Sequence, residues 1–171
     1  VLDVASLNLR CVCGSFVGRV DLSRSRPVHV VCHCGDCEIY ARHIGNADAK
    51  QIVQATPAQV TILAGKANVR CLRLTQRGLT RWFTACCRTP LANTSRHAWM
   101  PFVGIVSCAL DSAGKEAIGP STPVNGRHAI AWSIVLRSIR ALLLGLLFRR
   151  HRPNAFFDDH GQPVARPEIL G

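Results

Sequence analysis

Acidic side chains are scarce in this chain of 171 residues. Only ten Asp and Glu residues stand against 21 Lys and Arg residues, so the formal net charge is +11. Lysine is scarce too, because Lys50, Lys66 and Lys115 are the only lysines and every other basic residue is an arginine. Arginine binds carboxylates and phosphates through a planar fork of donors. The composition therefore favours anionic ligands, acidic partners or nucleic acid without choosing among them.

Several functional signatures are also missing. The chain has no glycine-rich phosphate loop, no signature of a nucleic-acid-binding module and no internal repeat, and its arginines are scattered rather than clustered. An arginine-rich solvent-exposed surface is therefore a simpler interpretation of the charge than a nucleic-acid footprint. No Ser/His/Asp set and no paired-carboxylate motif stands out, which argues against the hydrolytic chemistry that those sets perform.

Cysteine, by contrast, is abundant. Its count of nine is odd, and residues 1–6 lack the basic start and apolar core of a secretory signal. A disulfide framework is therefore less expected than free thiols in a reducing, cytoplasmic compartment, although the chain begins at Val1 and residues could precede it. A cysteine buried singly behaves as a small hydrophobic residue, which is the role expected of Cys71 and Cys108.

The other seven cysteines lie in three clusters whose spacing is typical of metal ligands. The clusters are Cys11-Val12-Cys13, Cys32-His33-Cys34-Gly35-Asp36-Cys37 and Cys86-Cys87. A tight turn brings nearby thiolates to the Zn–S distance of about 2.3 Å that a tetrahedral zinc site needs. Seven cysteines fill one such site and most of a second, so we expect up to two zinc ions.

The second cluster offers the ligand count of a catalytic zinc. Cys32, Cys34 and Cys37 leave one position open, where an incoming thiol could bind, lose its proton and attack an aldehyde carbon. The net negative charge of three thiolates around one zinc weakens Lewis acidity and favours thiolate exchange over carbonyl polarisation. Alternatively, His33 or a residue from elsewhere in the chain closes the site and makes it structural.

Hydrophobic periodicity predicts a mainly β chain. Short strands lead out of the first cluster and into the second, one or two helical turns follow at 38–44, and turn signals separate three further strands that form a meander. The last strand of the meander delivers Cys86 and Cys87. The predicted strands cover residues 16–20, 28–31, 59–63, 69–74 and 80–84, and residues 119–126 are predicted to form a loop.

Residues 128–150 form a predicted helix that is apolar on most of its surface. Its central Arg137 and Arg140 would each cost about 2.5–3.5 kcal/mol inside a bilayer, which argues against a membrane span. These arginines lie on one narrow polar stripe, so we expect the helix to pack on the sheet or across a subunit interface, with Leu143 and Leu147 buried together. Binding to an anionic membrane surface is the alternative.

The chain is thus expected to divide into two parts. Residues 1–126 form a zinc-binding β domain. Residues 127–171 form the apolar helix and an irregular tail, which begins at Pro153 and covers the surface. The helix packs either on the domain or on a partner subunit, and the second case gives a homo-oligomer.

The order of the motifs resembles the glutathione-dependent formaldehyde-activating enzyme and centromere protein V superfamily. The resemblance covers residues 7–110 and is carried by Cys11-x-Cys13-Gly14, Cys32-x-Cys34-x-x-Cys37, Arg81-Trp82-Phe83 and Cys87-Arg88-Thr89-Pro90-Leu91. It implies a β-tent fold of packed antiparallel sheets. It also implies a structural zinc shared by the first and third clusters, and a second zinc with an open position in the second cluster. The named enzyme joins glutathione to formaldehyde, giving S-hydroxymethylglutathione.

The third cluster departs from the family pattern. Where the family has Phe-Cys-x-x-Cys-Gly-Thr-Pro-Leu, residues 83–91 read Phe-Thr-Ala-Cys-Cys-Arg-Thr-Pro-Leu. Thr84 therefore stands where the family has a ligand, and Cys86 is the expected fourth ligand beside Cys87, with water as the alternative. Arg88 replaces a glycine whose freedom at positive φ helps such a turn close tightly.

Two functions are compatible with these features. The favoured one is a zinc-dependent carbon–sulfur lyase or synthase acting on a small thiol adduct, with Cys32, Cys34 and Cys37 as its catalytic site. The expected ligand is a small thiol such as glutathione, although Glu38-Ile39-Tyr40 stands where the family has basic residues. The alternative is a non-enzymatic, zinc-stabilised binding module for nucleic acid, a protein or an anionic membrane surface.

Overall fold

The computed structural model describes residues 6–22, 27–127 and 129–171, and the fold is mainly β. Residues 1–5, which carry most of the expectation about a signal sequence, lie outside the described residues, as does His128, the predicted start of the C-terminal helix. The helices are α1 (Gly35–Ile44), α2 (Ser112–Ile118) and α3 (Trp132–Leu147). The strands are β1 (Leu7–Arg10), β2 (Val17–Val20), β3 (His29–Cys32), β4 (Gln51–Ala55), β5 (Val60–Ala64), β6 (Val69–Arg73), β7 (Thr80–Thr84), β8 (Pro90–Thr94), β9 (Val103–Val106), β10 (Thr122–Val124) and β11 (Glu168–Ile169).

The strands form two sheets. A small antiparallel sheet has the order β1-β2-β5, and a large sheet has the order β10-β3-β4-β9-β8-β7-β6-β11. Pairing in the large sheet is antiparallel except at its two edges, where β10 runs parallel to β3 and β11 runs parallel to β6. The centre of this sheet is buried, and all five residues of β7 are buried. Its β-branched and aromatic residues suit such a position.

The predicted meander over residues 59–84 is wrong at its first strand. β5 pairs with β2 in the small sheet, whereas β6 and β7 form a hairpin in the large one. The chain changes sheet at Gly65, which has φ +76, and in the 3₁₀ turn Lys66–Asn68 that follows. Gly65 packs against the backbone of Ser15 so closely that a side chain would clash there. A turn signal on its own does not distinguish a hairpin from this change of sheet.

The predicted loop over residues 119–126 is also partly wrong. Its residues Thr122–Val124 form β10, which pairs with β3 in a register that sets Val124 opposite Cys32. The amide of His33 donates a hydrogen bond of 2.9 Å to the carbonyl of Val124. This pairing brings Asn125 to the second cysteine cluster.

Part of the C-terminal tail is buried in the core, so the expectation that the tail only covers the surface is wrong. Phe156 and Phe157 are buried in the main core beside Trp82, with ring centroids 5.0 and 5.9 Å from the indole. The short strand β11 then extends the large sheet along β6. These long-range contacts leave no local periodicity in the sequence.

Helix α3 packs on the large sheet, but through a different face from the predicted one. Ile134 is buried with Val28 and Val124 in a small cluster, and Gly145 lies against Pro101. Leu143 and Leu147 are 61% and 73% exposed, so the prediction that packing on the sheet buries them is wrong. Within the described residues, no helix has the length and apolar character needed to cross a membrane.

Candidate metal centres

The first and third cysteine clusters meet at one point. The Sγ atoms of Cys11, Cys13, Cys86 and Cys87 all lie within 4.8 Å of one another. The Sγ of Cys13 is 3.5 Å from that of Cys11 and 3.1 Å from that of Cys86, and Cys86 and Cys87 are 3.8 Å apart. Thiolates bound to one tetrahedral zinc at about 2.3 Å lie about 3.8 Å from each other. The four thiols are therefore spaced like the ligand set of a single ion.

Two tight turns produce this arrangement. Cys11 and Cys13 follow β1 in a turn that is closed by a hydrogen bond from the amide of Gly14 to the carbonyl of Cys11. Cys86 and Cys87 follow β7 in a turn that ends at Arg88, whose φ of 55° is in the left-handed region. The family that the motifs resemble has a glycine at that position, and the backbone here adopts the conformation that glycine favours.

Thr84, which stands where the resembling family has a cysteine, supports this turn. Its hydroxyl accepts a hydrogen bond of 3.1 Å from the amide of Thr89 and lies 3.4 Å from the Sγ of Cys87. Burial alone would raise the pKa of Cys87, but hydrogen bonds with the hydroxyls of Thr84 and Thr89 outweigh it and lower the pKa to about 5. Both hydroxyls thus favour the thiolate, the form of cysteine that binds metal.

The second cluster forms a separate site at the start of α1. The Sγ atoms of Cys32, Cys34 and Cys37 lie within 4.8 Å of one another. Cys32 ends β3, Cys34 precedes the first residue of α1, and Cys37 lies in the first helical turn. The helix N-terminus carries positive partial charge, which favours thiolates there. The hydrogen bond with Cys37 is the largest cause that lowers the pKa of Cys32 to about 4.

No fourth side-chain ligand completes the three-cysteine site within the described parts of the chain. His33 was the sequence candidate for closing it, but its Nδ1 lies 3.3 Å from Oε1 of Glu38, which also accepts a hydrogen bond of 2.8 Å from Lys50. The imidazole therefore belongs to a hydrogen-bonded group with Glu38 and Lys50 beside the site.

Two residues without sequence-assigned roles contact the three thiols. The side-chain amide of Asn125 donates a hydrogen bond of 3.1 Å to the Sγ of Cys32. The guanidinium nitrogens of Arg81 lie 3.9 and 4.0 Å from the Sγ of Cys37. Arg81 belongs to the Arg81-Trp82-Phe83 motif, and Asn125-Gly126 is a turn signal, but neither pattern indicates which thiol the side chain approaches.

Arg81 supplies an independent indication that the three-cysteine site holds negative charge. The side chain is 2% exposed and its guanidinium lies 4.8 Å from the centre of the Tyr40 ring. None of the ion pairs in the described residues involves Arg81. A buried charge without a counter-charge costs several kcal/mol. Three thiolates around a divalent metal ion would carry one net negative charge and balance the guanidinium.

The two remaining cysteines lie outside both groups. Burial raises the pKa of Cys71 to about 12 and that of Cys108 to about 11. Among the residues that the structure describes, neither thiol has enough neighbouring ligand atoms to form a further metal-binding group. The structure thus places seven predicted ligands in two groups, one of four cysteines and one of three.

Comparisons with known proteins bear on the fold and the family. A Rhodobacter sphaeroides protein, whose crystal structure was determined in a structural genomics effort, aligns with a TM-score of 0.52 and 18% sequence identity. The alignment covers 68% of this chain and 99% of that one, and at this identity the likeness concerns the fold alone. A search of curated proteins found no match. The family model described as a family of unknown function, DUF6151, matches residues 4–168, so the chain belongs to this family.

Proposed function

We propose that the chain binds two zinc ions, one structural and one able to bind a small thiol. The four-cysteine group would hold the structural ion and the three-cysteine group the second. Four-thiolate sets are typical of zinc and of iron–sulfur clusters. We favour zinc because the four thiols of the first group surround one point, which is the arrangement that a single structural zinc ion needs.

The observation that carries the proposal is the incomplete second group. Three thiols converge at the start of α1, and the described residues offer no fourth His, Cys, Asp or Glu ligand atom. Closed structural zinc sites have four protein ligands, whereas catalytic sites have three and keep one position open. Zinc bound there would promote deprotonation of an incoming thiol.

The residues around the second group support thiol chemistry. Arg81 provides positive charge beside Cys37, and Asn125 donates a hydrogen bond to Cys32. Both interactions stabilise negative charge on sulfur and hold the thiols in place. The helix N-terminus at Cys34 adds to the same effect.

We propose that the reaction is addition of a small thiol to an aldehyde, or its reverse. In the forward direction the thiol loses its proton, a carbon–sulfur bond forms at the carbonyl carbon, and the carbonyl oxygen takes up a proton to become a hydroxyl. No oxidant or reductant is required. The motif resemblance to the glutathione-dependent formaldehyde-activating superfamily supports this reaction class and a β-tent fold. Glutathione is the first thiol to test, because that resemblance concerns a glutathione-dependent enzyme.

Metal content tests the binding part of the proposal. Protein purified under reducing conditions should contain two zinc ions per chain by elemental analysis, without the visible absorption of an iron–sulfur cluster. Cys13→Ser should lose one ion and much of the folding stability, because metal binding contributes directly to folding in such sites. Cys34→Ala should lose the other ion and remain folded. Protein without zinc and with its thiols paired as disulfides would contradict the proposal.

Condensation of glutathione with formaldehyde tests the chemical part. The rate with wild-type protein should exceed that of a protein-free control, because the condensation also proceeds unassisted. Cys34→Ala should remove the excess rate, and Cys71→Ala, which changes a cysteine outside both groups, should keep it. If common cellular thiols give no excess rate although two zinc ions are bound, the chain is a zinc-stabilised binding module and the lyase proposal is wrong.

A further inference from the structure

Helix α3 carries an apolar stripe that the rest of the described chain leaves exposed. Its outward face presents Trp132, Leu136, Leu143 and Leu147, and the indole of Trp132 is 72% exposed. The spacings of four and seven residues place these side chains along one line of the helix. Isolated exposed leucines are common on protein surfaces, but a continuous apolar stripe on one helix indicates an interaction surface.

The opposite face of the same helix is already used. Ile134 is buried near one end of α3 and Gly145 near the other, where it contacts Pro101. The carbonyl of Arg150 accepts a hydrogen bond of 3.0 Å from the amide of Ala58, just after the helix. The helix is therefore held at both ends, with its outward face directed away from the sheet.

The apolar surface continues beside the helix. A groove of about 330 Å³ runs between α3 and the large sheet, and its lining is almost wholly apolar, with Val30, Ile52, Phe102 and Ile139 among its residues. An apolar group that enters this groove would contact apolar side chains of α3 on one side and of the sheet on the other.

The charged residues of the segment that contains the stripe have one sign. No acidic residue occurs between Glu116 and Asp158, whereas six arginines do. Arg137 and Arg140 are exposed and border the stripe, and Arg149, Arg150 and Arg152 follow the helix. No ion pair in the described residues involves any of these side chains. The surface thus combines an apolar centre with arginines along one side and at its C-terminal end.

We propose that the outward face of α3 docks on an anionic lipid surface. Interfacial helices have an apolar face with Trp, Leu or Phe and a border of Arg or Lys, whose long side chains reach the headgroups while the apolar residues enter the acyl boundary. The 16 residues of α3, at about 1.5 Å each, give a stripe about 24 Å long that can lie flat in that interface. The proposal does not depend on the metal chemistry.

A second copy of the chain fits this surface less well. A helix is about 10 Å wide, so its outward strip offers far less than the roughly 800 Å² per partner that a stable interface buries. Two copies related by a two-fold axis would also bring arginines together without any acidic residue of this segment between them. An anionic bilayer provides an extended apolar phase and the opposite charge.

Co-sedimentation with vesicles tests the proposal on the zinc-loaded full chain. Wild type should bind vesicles of equal parts phosphatidylcholine and phosphatidylserine and should not bind phosphatidylcholine alone. Raising the salt from about 0.1 M to about 1 M shortens the Debye length from about 10 Å to about 3 Å and should weaken binding. Arg137→Gln and Arg140→Gln should each reduce the partition coefficient about fivefold.

Substitution of the leucines tests the apolar part. Leu143→Asp should weaken vesicle binding about tenfold or more, because a leucine that would enter the acyl boundary is replaced by a residue of the same charge sign as the lipid. The same change at Leu63, which is 57% exposed on β5, is the matched control and should have no comparable effect. Leu143→Asp should stay folded with unchanged zinc content, since its side chain is already largely exposed.

Two results would overturn the proposal. One is wild-type protein that ignores the anionic vesicles at low salt. The other is a dimer, detected by light scattering, that Leu143→Asp converts to monomer while vesicle binding is absent in both forms. The second result would assign the same face to self-association instead.

Discussion

At the residue scale, the least expected feature is a buried arginine beside a cysteine cluster. Arg81 lies on β7, a strand whose five residues are all buried, and its guanidinium reaches from the sheet to Cys37 on α1. Its side chain also donates a hydrogen bond of 3.4 Å to the amide oxygen of Asn93. The metal affinity of the three-cysteine group should therefore depend on the charge of Arg81.

Replacement of Arg81 by methionine tests this dependence. Methionine keeps much of the apolar volume but removes the charge, so the three thiolates lose their counter-charge. Residues that support metal ligands typically change affinity by about 10–100-fold. Arg81→Met should weaken zinc binding at the three-cysteine group by this amount in chelator competition, while the four-cysteine group keeps its ion. Arg19→Met, at an exposed position on β2, is the control. Equal zinc affinity in Arg81→Met and wild type would contradict the dependence.

At the element scale, local sequence patterns predicted well those helices and strands that depend mainly on neighbouring residues. The strand predicted at 80–84 coincides with β7, and the helical turns predicted at 38–44 lie within α1. Which strands pair with each other was harder to predict. The pairing of β5 with β2, and of β10 with β3, depends on contacts between residues distant in sequence. Cysteine spacing predicted which ligands group together, whereas the approach of Asn125 to Cys32 required the pairing of β10.

The two apolar faces of helix α3 look alike in sequence, so periodicity did not predict which face packs inward. Gly145 marks the face that packs inward, since an added Cβ would lie 2.7 and 2.9 Å from the Cβ and Cγ of Pro101. Replacing a helical glycine by alanine gains up to about 1 kcal/mol in helix propensity, but overpacking costs about 1–3 kcal/mol.

We therefore expect Gly145→Ala to destabilise the protein by about 1 kcal/mol, the difference between these two effects. Urea denaturation followed by circular dichroism measures the change. Ser133→Ala, on the exposed side of the same helix, gains propensity without a clash and should be neutral or slightly stabilising. A stabilised Gly145→Ala would mean that α3 does not rest on Pro101.

At the scale of the whole molecule, residues near both ends of the chain pack in one core with a strand from its middle. Phe156 and Phe157 belong to the same core cluster as Leu7 and Leu9 of β1 and Trp82 of β7. The thiol of Cys71 on β6 also donates a hydrogen bond of 3.2 Å to the carbonyl of Ala165. The tail thus completes the core of the β sheets, although it follows the helix and contains little regular structure of its own.

Phe156→Ala should consequently destabilise the entire fold. Phe156 is 1% exposed, and truncating a buried phenylalanine costs about 3–5 kcal/mol. That is a large part of the roughly 5–15 kcal/mol by which domains are stable. The midpoint of urea unfolding should fall sharply. Phe148→Ala, at a phenylalanine that is 62% exposed, should change stability by no more than about 0.5 kcal/mol. Equal, small losses of unfolding free energy in both variants would place the tail outside the cooperative core.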